Sequence, residues 1–178
     1  MKSHDIANAA KKRAIAMLKE GTLPAQVLYH IATAAESITP PGSAASILVL
    51  DEHGLLRNGA SPQMPADYLE AIDGLKPDAN LGTCAAAAAT GKVVITKSFH
   101  EDSKWAELRH LPLALGYQGA WSTPIKAKGG AVLGTLGIYN RELRVPSQEE
   151  RDAMLTLASA AADALEKSKS PRQPAFAR

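Results

Sequence analysis

With 178 residues, 46% of them hydrophobic and 21% charged, the chain has the size and composition of one folded domain, which excludes a disordered or repetitive protein. No apolar run nears the roughly 20 residues that cross a bilayer, the start MKSHDIANAAKKR lacks the apolar centre of a signal peptide, and a single cysteine excludes an internal disulfide. A cytoplasmic protein without membrane contact is expected. The net charge of +2 does not signal nucleic-acid binding, because residues 167–178, KSKSPRQPAFAR, carry four cations and no acid and leave the other 166 residues at about −2.

In chain order, residues 3–20 place Ile6, Ala10, Ala14, Met17 and Leu18 at helical spacing, and Gly21 is a natural stop. A second helix begins near Pro24 and carries Val27, Ile31, Ala34, Ala35 and Ile38 on one stripe until Pro40 and Pro41 end it. SAASILVLDEHGLLRNG reads as a strand over Ile47–Leu50, a polar turn from Asp51 to Gly54, and a shorter strand from Leu55. PADYLEAIDG is a short helix ending at Gly74, and KVVITKS after Gly91 is a β-branched strand. DSKWAELRHLPLAL, residues 102–115, has a helical pattern that Pro112 is expected to break. GAWSTPIKA and AVLGTLGIYN flank Lys128-Gly129-Gly130, a hairpin signal. The last helix opens with a Ser147/Glu150 capping box and buries Met154, Leu157, Ala158, Ala161 and Leu165. Hairpin-joined strands among helices predict an antiparallel sheet and an α+β fold.

LGTCAAAAATG, residues 81–91, sets the only cysteine against five alanines. A helix beginning near Thr83 leaves the N–H groups of Thr83 to Ala86 without intrahelical partners, able to meet ligand oxygens such as those of carboxylate, nitrate or phosphate unless Thr83 caps them. Cys84 reads as a nucleophile, a cofactor anchor, or a small buried hydrophobe, the last being favoured. His100, Glu101, Asp102 and His110 match no compact metal-ligand spacing, so no metal is expected. His110 could face a pocket, as could both tryptophans, Trp105 and Trp121, which could equally close the core. Ser122 in WSTP is not a hydrolase elbow, and GTCAAAAATGK is not a phosphate-binding Walker loop.

LGYQGAWSTPIKAKGGAVLGTLGIYNRELRVPSQEE resembles the closing hairpin and helix of GAF domains, LGTCAAAAATGKVVI is similar to that family's Gly-Ser-Cys-Gly-x-Ala-x-x-Thr-Gly-x-x-Val segment, and SKWAEL to its Asp-Pro-x-Trp helix start. The resemblance spans about residues 24–166. It implies a central antiparallel sheet of five to six strands, with the N- and C-terminal helices layered on one face and a ligand pocket under short helices and loops on the other. Organisation is then an N-terminal helix over 1–22, the GAF domain over 23–166, and a basic disordered tail or linker over 167–178. Ala85 replaces the family's glycine after the cysteine, and Lys97 stands near an expected acid, so no acidic pocket residue is carried over.

The function implied is small-molecule sensing without catalysis. Leu81, Gly82, Thr83, Cys84, Ala85, Trp105, His110, Trp121 and Ser122 are the expected ligand contacts, and a small polar or anionic metabolite the expected ligand. No cofactor is expected: a bilin anchor calls for histidine after the cysteine, where Ala85 stands, and haem is not indicated. Signalling would run through the terminal helices, which would also form a homodimer. The output would be a partner protein, or the chain would be a piece of a longer regulator. Two alternatives are a Cys84-dependent redox enzyme of the methionine sulfoxide reductase type, whose usual cycle needs more than one cysteine, and a dimerisation module without ligand.

Overall fold

The computed structural model describes residues 1–168 and contains six α-helices and five strands among them: α1 (Ser3–Lys19), α2 (Pro24–Ile38), β1 (Ala44–Leu50), β2 (Leu56–Ala60), α3 (Ala66–Ile72), α4 (Cys84–Thr90), β3 (Val94–Thr96), α5 (His110–Ala114), β4 (Gly119–Lys126), β5 (Val132–Asn140) and α6 (Gln148–Ser168). Of the expected tail, residues 169–178 lie outside the described residues, whereas Lys167 and Ser168 continue α6. No described helix is long and apolar enough to cross a membrane.

The strands form one sheet in the order β2-β1-β5-β4-β3. Each neighbouring pair is antiparallel. Strand period two sends alternate side chains to opposite faces, and both faces are covered. Ala45, Ile47, Trp121, Ile125, Leu136 and Ile138 face a layer made of α1, α2 and α6. Ala44, Leu48, Leu56, Ala120 and Tyr139 face a second, smaller core closed by α3, α4 and the segment around Trp105. Two-sided burial explains why β1, β4 and β5 read as nearly unbroken apolar or small-residue runs rather than alternating ones.

The ends of α6 and α1 follow local chemistry. Ser147 Oγ accepts the Glu150 N–H at 3.1 Å while a Glu150 carboxylate oxygen accepts the Ser147 N–H at 3.1 Å, which closes the expected capping box. Arg144 adds two 2.8 Å bonds to the same carboxylate, so Glu150 is buried but paired. In α1 the buried strip is Ala7, Ala10, Ala14 and Leu18, the last three of them on the expected stripe, while Ile6 and Met17 are half-buried on its margin.

The 102–115 segment corrects one expectation. Its first turn is a 3-10 turn over Ser103–Trp105, and α5 starts only at His110. Pro112 is the third residue of α5, where a missing N–H disrupts no intrahelical bond, so it starts this helix rather than breaking a longer one.

Candidate functional site

Between the smaller core's sheet face and its covering helices lies a small cavity of about 20 Å³, room for about one water molecule. Leu48 and Tyr139 form its floor, α3 contributes Tyr68 and Ile72, and Leu75 follows on the loop. Leu81, Gly82, Thr83, Cys84 and Ala85 make one wall, and Trp105 with Leu108 makes the cover.

The cover is held by a compact polar knot. Asp102 accepts the Thr96 hydroxyl at 2.6 Å, the Lys104 N–H at 3.0 Å and the Lys104 ammonium at 2.9 Å, which fixes the 3-10 turn to the end of β3. Burial alone would raise the Asp102 carboxyl, but these bonds from Thr96 and Lys104 outweigh it and hold it below its usual range. The turn in turn orients Trp105, whose ring sits 4.4 Å from that of Phe99 and whose Nε1–H donates to Thr83 Oγ1 at 3.0 Å. The Gly82 N–H donates to the Lys104 carbonyl at 2.8 Å, so the entry to α4 and the cover move as one piece.

Thr83 therefore does not cap α4 with its side chain: the hydroxyl oxygen is taken by the indole, and Thr83 itself has helical rather than extended backbone angles. Its own O–H has no acceptor among the described residues. Across the cavity the Tyr68 and Tyr139 hydroxyls share one hydrogen bond of 2.7 Å, which leaves one proton of the pair without an acceptor among the described residues. Burial pushes both phenols above their ordinary range, Tyr139 far above it, so both keep their protons at neutral pH. The cavity thus offers two uncommitted hydroxyl donors in an otherwise apolar wall, and no Lys, Arg, His, Asp or Glu lines it.

Cys84 faces down onto the sheet. Its sulfur accepts from Ser122 Oγ at 3.5 Å, and a Cβ built on Gly137 would lie 2.9 Å from it, so glycine is what lets the first turn of α4 settle on β5. Burial pushes the thiol up, against the opposing effect of the Ser122 and Thr135 hydroxyls. A protonated, half-buried thiol is a poor nucleophile. Native Cys84 is expected to react with an aromatic disulfide reagent at pH 8 at least tenfold more slowly than in the urea-unfolded chain. Equal rates, followed by the colour of the released thiolate, would refute the inert reading.

Six of the nine expected contacts, Leu81, Gly82, Thr83, Cys84, Ala85 and Trp105, are brought together around this cavity. Three are not. Ser122 is on the same sheet face but lies beneath Cys84 rather than in the wall. Trp121, one residue earlier in the strand, points to the opposite face, into the core of α1, α2 and α6. His110 is exposed, because α5 begins there with that position outward. Tyr68 and Tyr139 escaped the sequence reading, although Tyr139 ends an aromatic-bearing strand and Tyr68 lies in the PADYLEAIDG helix.

A sequence model of the GAF domain matches residues 22–166. The chain is 34% identical over 158 residues to the methyl sulfide methyltransferase-associated sensor of Methanosarcina acetivorans, covering 88% of this chain but only 16% of that protein's length. Among solved structures, the GAF domain of a phosphoenolpyruvate-protein phosphotransferase from Coxiella burnetii superposes with a TM-score of 0.76 at 18% identity, over 95% of each chain. The reduced form of fRMsr of Staphylococcus aureus superposes with a TM-score of 0.69 at 12% identity, over 89% of this chain and 94% of that one. At such identities these structures share the fold.

Proposed function

The chain belongs to the GAF domain family, and on that premise we propose that it is a non-catalytic sensory module whose cavity takes a small neutral molecule carrying a hydrogen-bond acceptor. The observation that carries this reading is the uncommitted hydroxyl protons, one on Thr83 and one on the Tyr68–Tyr139 pair, in a wall without an ionised side chain. An anion there would lose its hydration and gain no cation, which disfavours the carboxylates, nitrate and phosphate expected from the sequence. A carbonyl, ether or thioether group would satisfy a hydroxyl while its carbon skeleton packs on Leu48, Ile72 and Leu108. Methyl sulfides, which figure in the name of the archaeal relative, are within that chemistry.

The proposed mechanism is a population shift. A ligand that bonds Thr83 and the tyrosine pair needs more room than the closed cavity has, so it favours a conformation in which α3, α4 and the Trp105 turn stand further off the sheet. The strands beneath them pack on α2 and α6 through their other face, so the change reaches the terminal helices. Those helices form the homodimer in this reading, with exposed Tyr29 and Leu155 on the helix layer, and a partner protein or a further part of a longer regulator receives the signal. No cofactor enters it, and the proposed setting is the cytoplasm.

A thermal-shift screen of small ketones, ethers, amides and methyl sulfides against carboxylates and nitrate tests this. A neutral acceptor at about 100 times its dissociation constant is expected to stabilise the fold by roughly 2.7 kcal/mol, and Tyr139→Phe to weaken its binding about five- to tenfold, the loss of one hydrogen bond of about 1 kcal/mol. Stabilisation by the anions alone would overturn the neutral-ligand reading, and no stabilisation by any compound would favour a ligand-free dimerisation module.

A further inference from the structure

A second, more open cleft of about 380 Å³ lies among Glu36 in the last turn of α2, Gly42 and Ser43 before β1, Gln63, Tyr117 before β4 and Arg141 after β5. It shares no lining residue with the Trp105 cavity.

Arg141 is fixed there. Its Nε donates to the Gly42 carbonyl at 3.0 Å, Nη1 donates to the Leu115 carbonyl at 3.0 Å, and its guanidinium carbon lies 4.4 Å from the centre of the Tyr117 ring. Two glycines with positive φ make room for it: a Cβ on Gly42 (φ +89) would be 3.2 Å from its Cδ, and one on Gly116 (φ +89) would be 2.7 Å from Nη1. A guanidinium offers five N–H donors in a planar fork. The two carbonyls occupy two of them, and Nη2 has no partner among the described residues.

Glu36 is fixed as well, because one carboxylate oxygen accepts the Ala45 N–H at 3.0 Å, and Gln63 lies beside it. Burial pushes this carboxyl up, as befits a carboxylate with no cation beside it. A carboxylate and a guanidinium thus line one cleft, each held by backbone groups and neither neutralised by the other. A fixed cation and a fixed anion with a gap between them match a molecule carrying both charges, since each end then meets a preorganised counter-charge.

We propose that this cleft binds a small amino acid-like zwitterion, its carboxylate on the free edge of Arg141 and its ammonium on Glu36. Occupancy would tie the end of α2 to the connection between β5 and α6, and so bear on the same helix layer as the cavity while being independent of it.

Titration of the full chain with glycine, β-alanine and γ-aminobutyrate, which differ in charge separation, followed by amide NMR shifts, tests the assignment, with acetate and methylamine as singly charged controls. At least one zwitterion is expected to saturate at one per chain, to bind at least tenfold tighter than either control, and to shift Gly42, Ser43 and Gln63. Glu36→Gln, which keeps an acceptor for the Ala45 N–H, and Arg141→Lys are each expected to remove that advantage in a chain whose unfolding curve stays cooperative. The proposal is overturned if no zwitterion outbinds the controls, if the shifts centre on Gly82 instead, or if the folded Glu36→Gln chain keeps the full advantage.

Discussion

Trp105→Ala is expected to lower the unfolding free energy by about 3–5 kcal/mol, the range for removing a large aromatic side chain from a core that cannot fully collapse. Trp105 is only 4% exposed, packs at a tilt of 59° against Phe99 and donates its indole N–H to Thr83. Alanine would remove the cavity's cover and leave the buried Thr83 oxygen without its donor, so transfer and hydrogen-bond losses add. Urea unfolding followed by circular dichroism measures the loss, and the remaining Trp121 fluorescence reports whether the sheet still packs on the helix layer. A loss below about 1 kcal/mol would mean that the cover is not part of the cooperative fold.

The second large effect is expected at the opposite face. Ala153, Ala160 and Ala164 are spaced seven and four apart, on a strip of α6 beside the one that carries Met154, Leu157, Ala158, Ala161 and Leu165. Glu149 and Lys167 neighbour the alanine strip and bond to Ser3 and to the Leu18 carbonyl of α1. α1 meets α6 with its own buried Ala7, Ala10 and Ala14, so small residues on both helices let the two backbones approach closely. Ala160→Leu is expected to destabilise by about 1–3 kcal/mol through overpacking, and to speed amide exchange in α1 more than in the sheet. Uniform exchange throughout the chain would show that α1 is not the element displaced. If signalling passes through these helices, the same variant should respond less to a cavity ligand.

The two substitutions also separate what was legible from what was not. The Ser147/Glu150 box, the hairpin at Lys128–Gly130 and the end of α1 before Gly21 rest on contacts within a few residues, and the same side chains that signal them in sequence form them in space. The alanine-rich run as one wall of a pocket was legible through resemblance. The Trp121 orientation was not, because GAWSTPIK is buried on both faces and loses the alternation that would reveal which residues point where. His110 lay in a segment whose helical pattern concealed a 3-10 turn and a separate helix starting only at His110, so one helical spacing does not run from Trp105 to His110.

By itself the sequence determined the α+β class, the helices and strands in order, and the caps that start and stop several of them, since each depends on local propensity and on periodicity. Only the tertiary structure decided the character of the cavity. The Tyr68 and Tyr139 hydroxyls that meet there are 71 residues apart, and the Thr83–Trp105 bond spans 22. Which hydroxyl protons remain free is a property of those long-range pairings, and the free protons, together with the absence of a charged side chain in the wall, are what the proposed neutral ligand rests on.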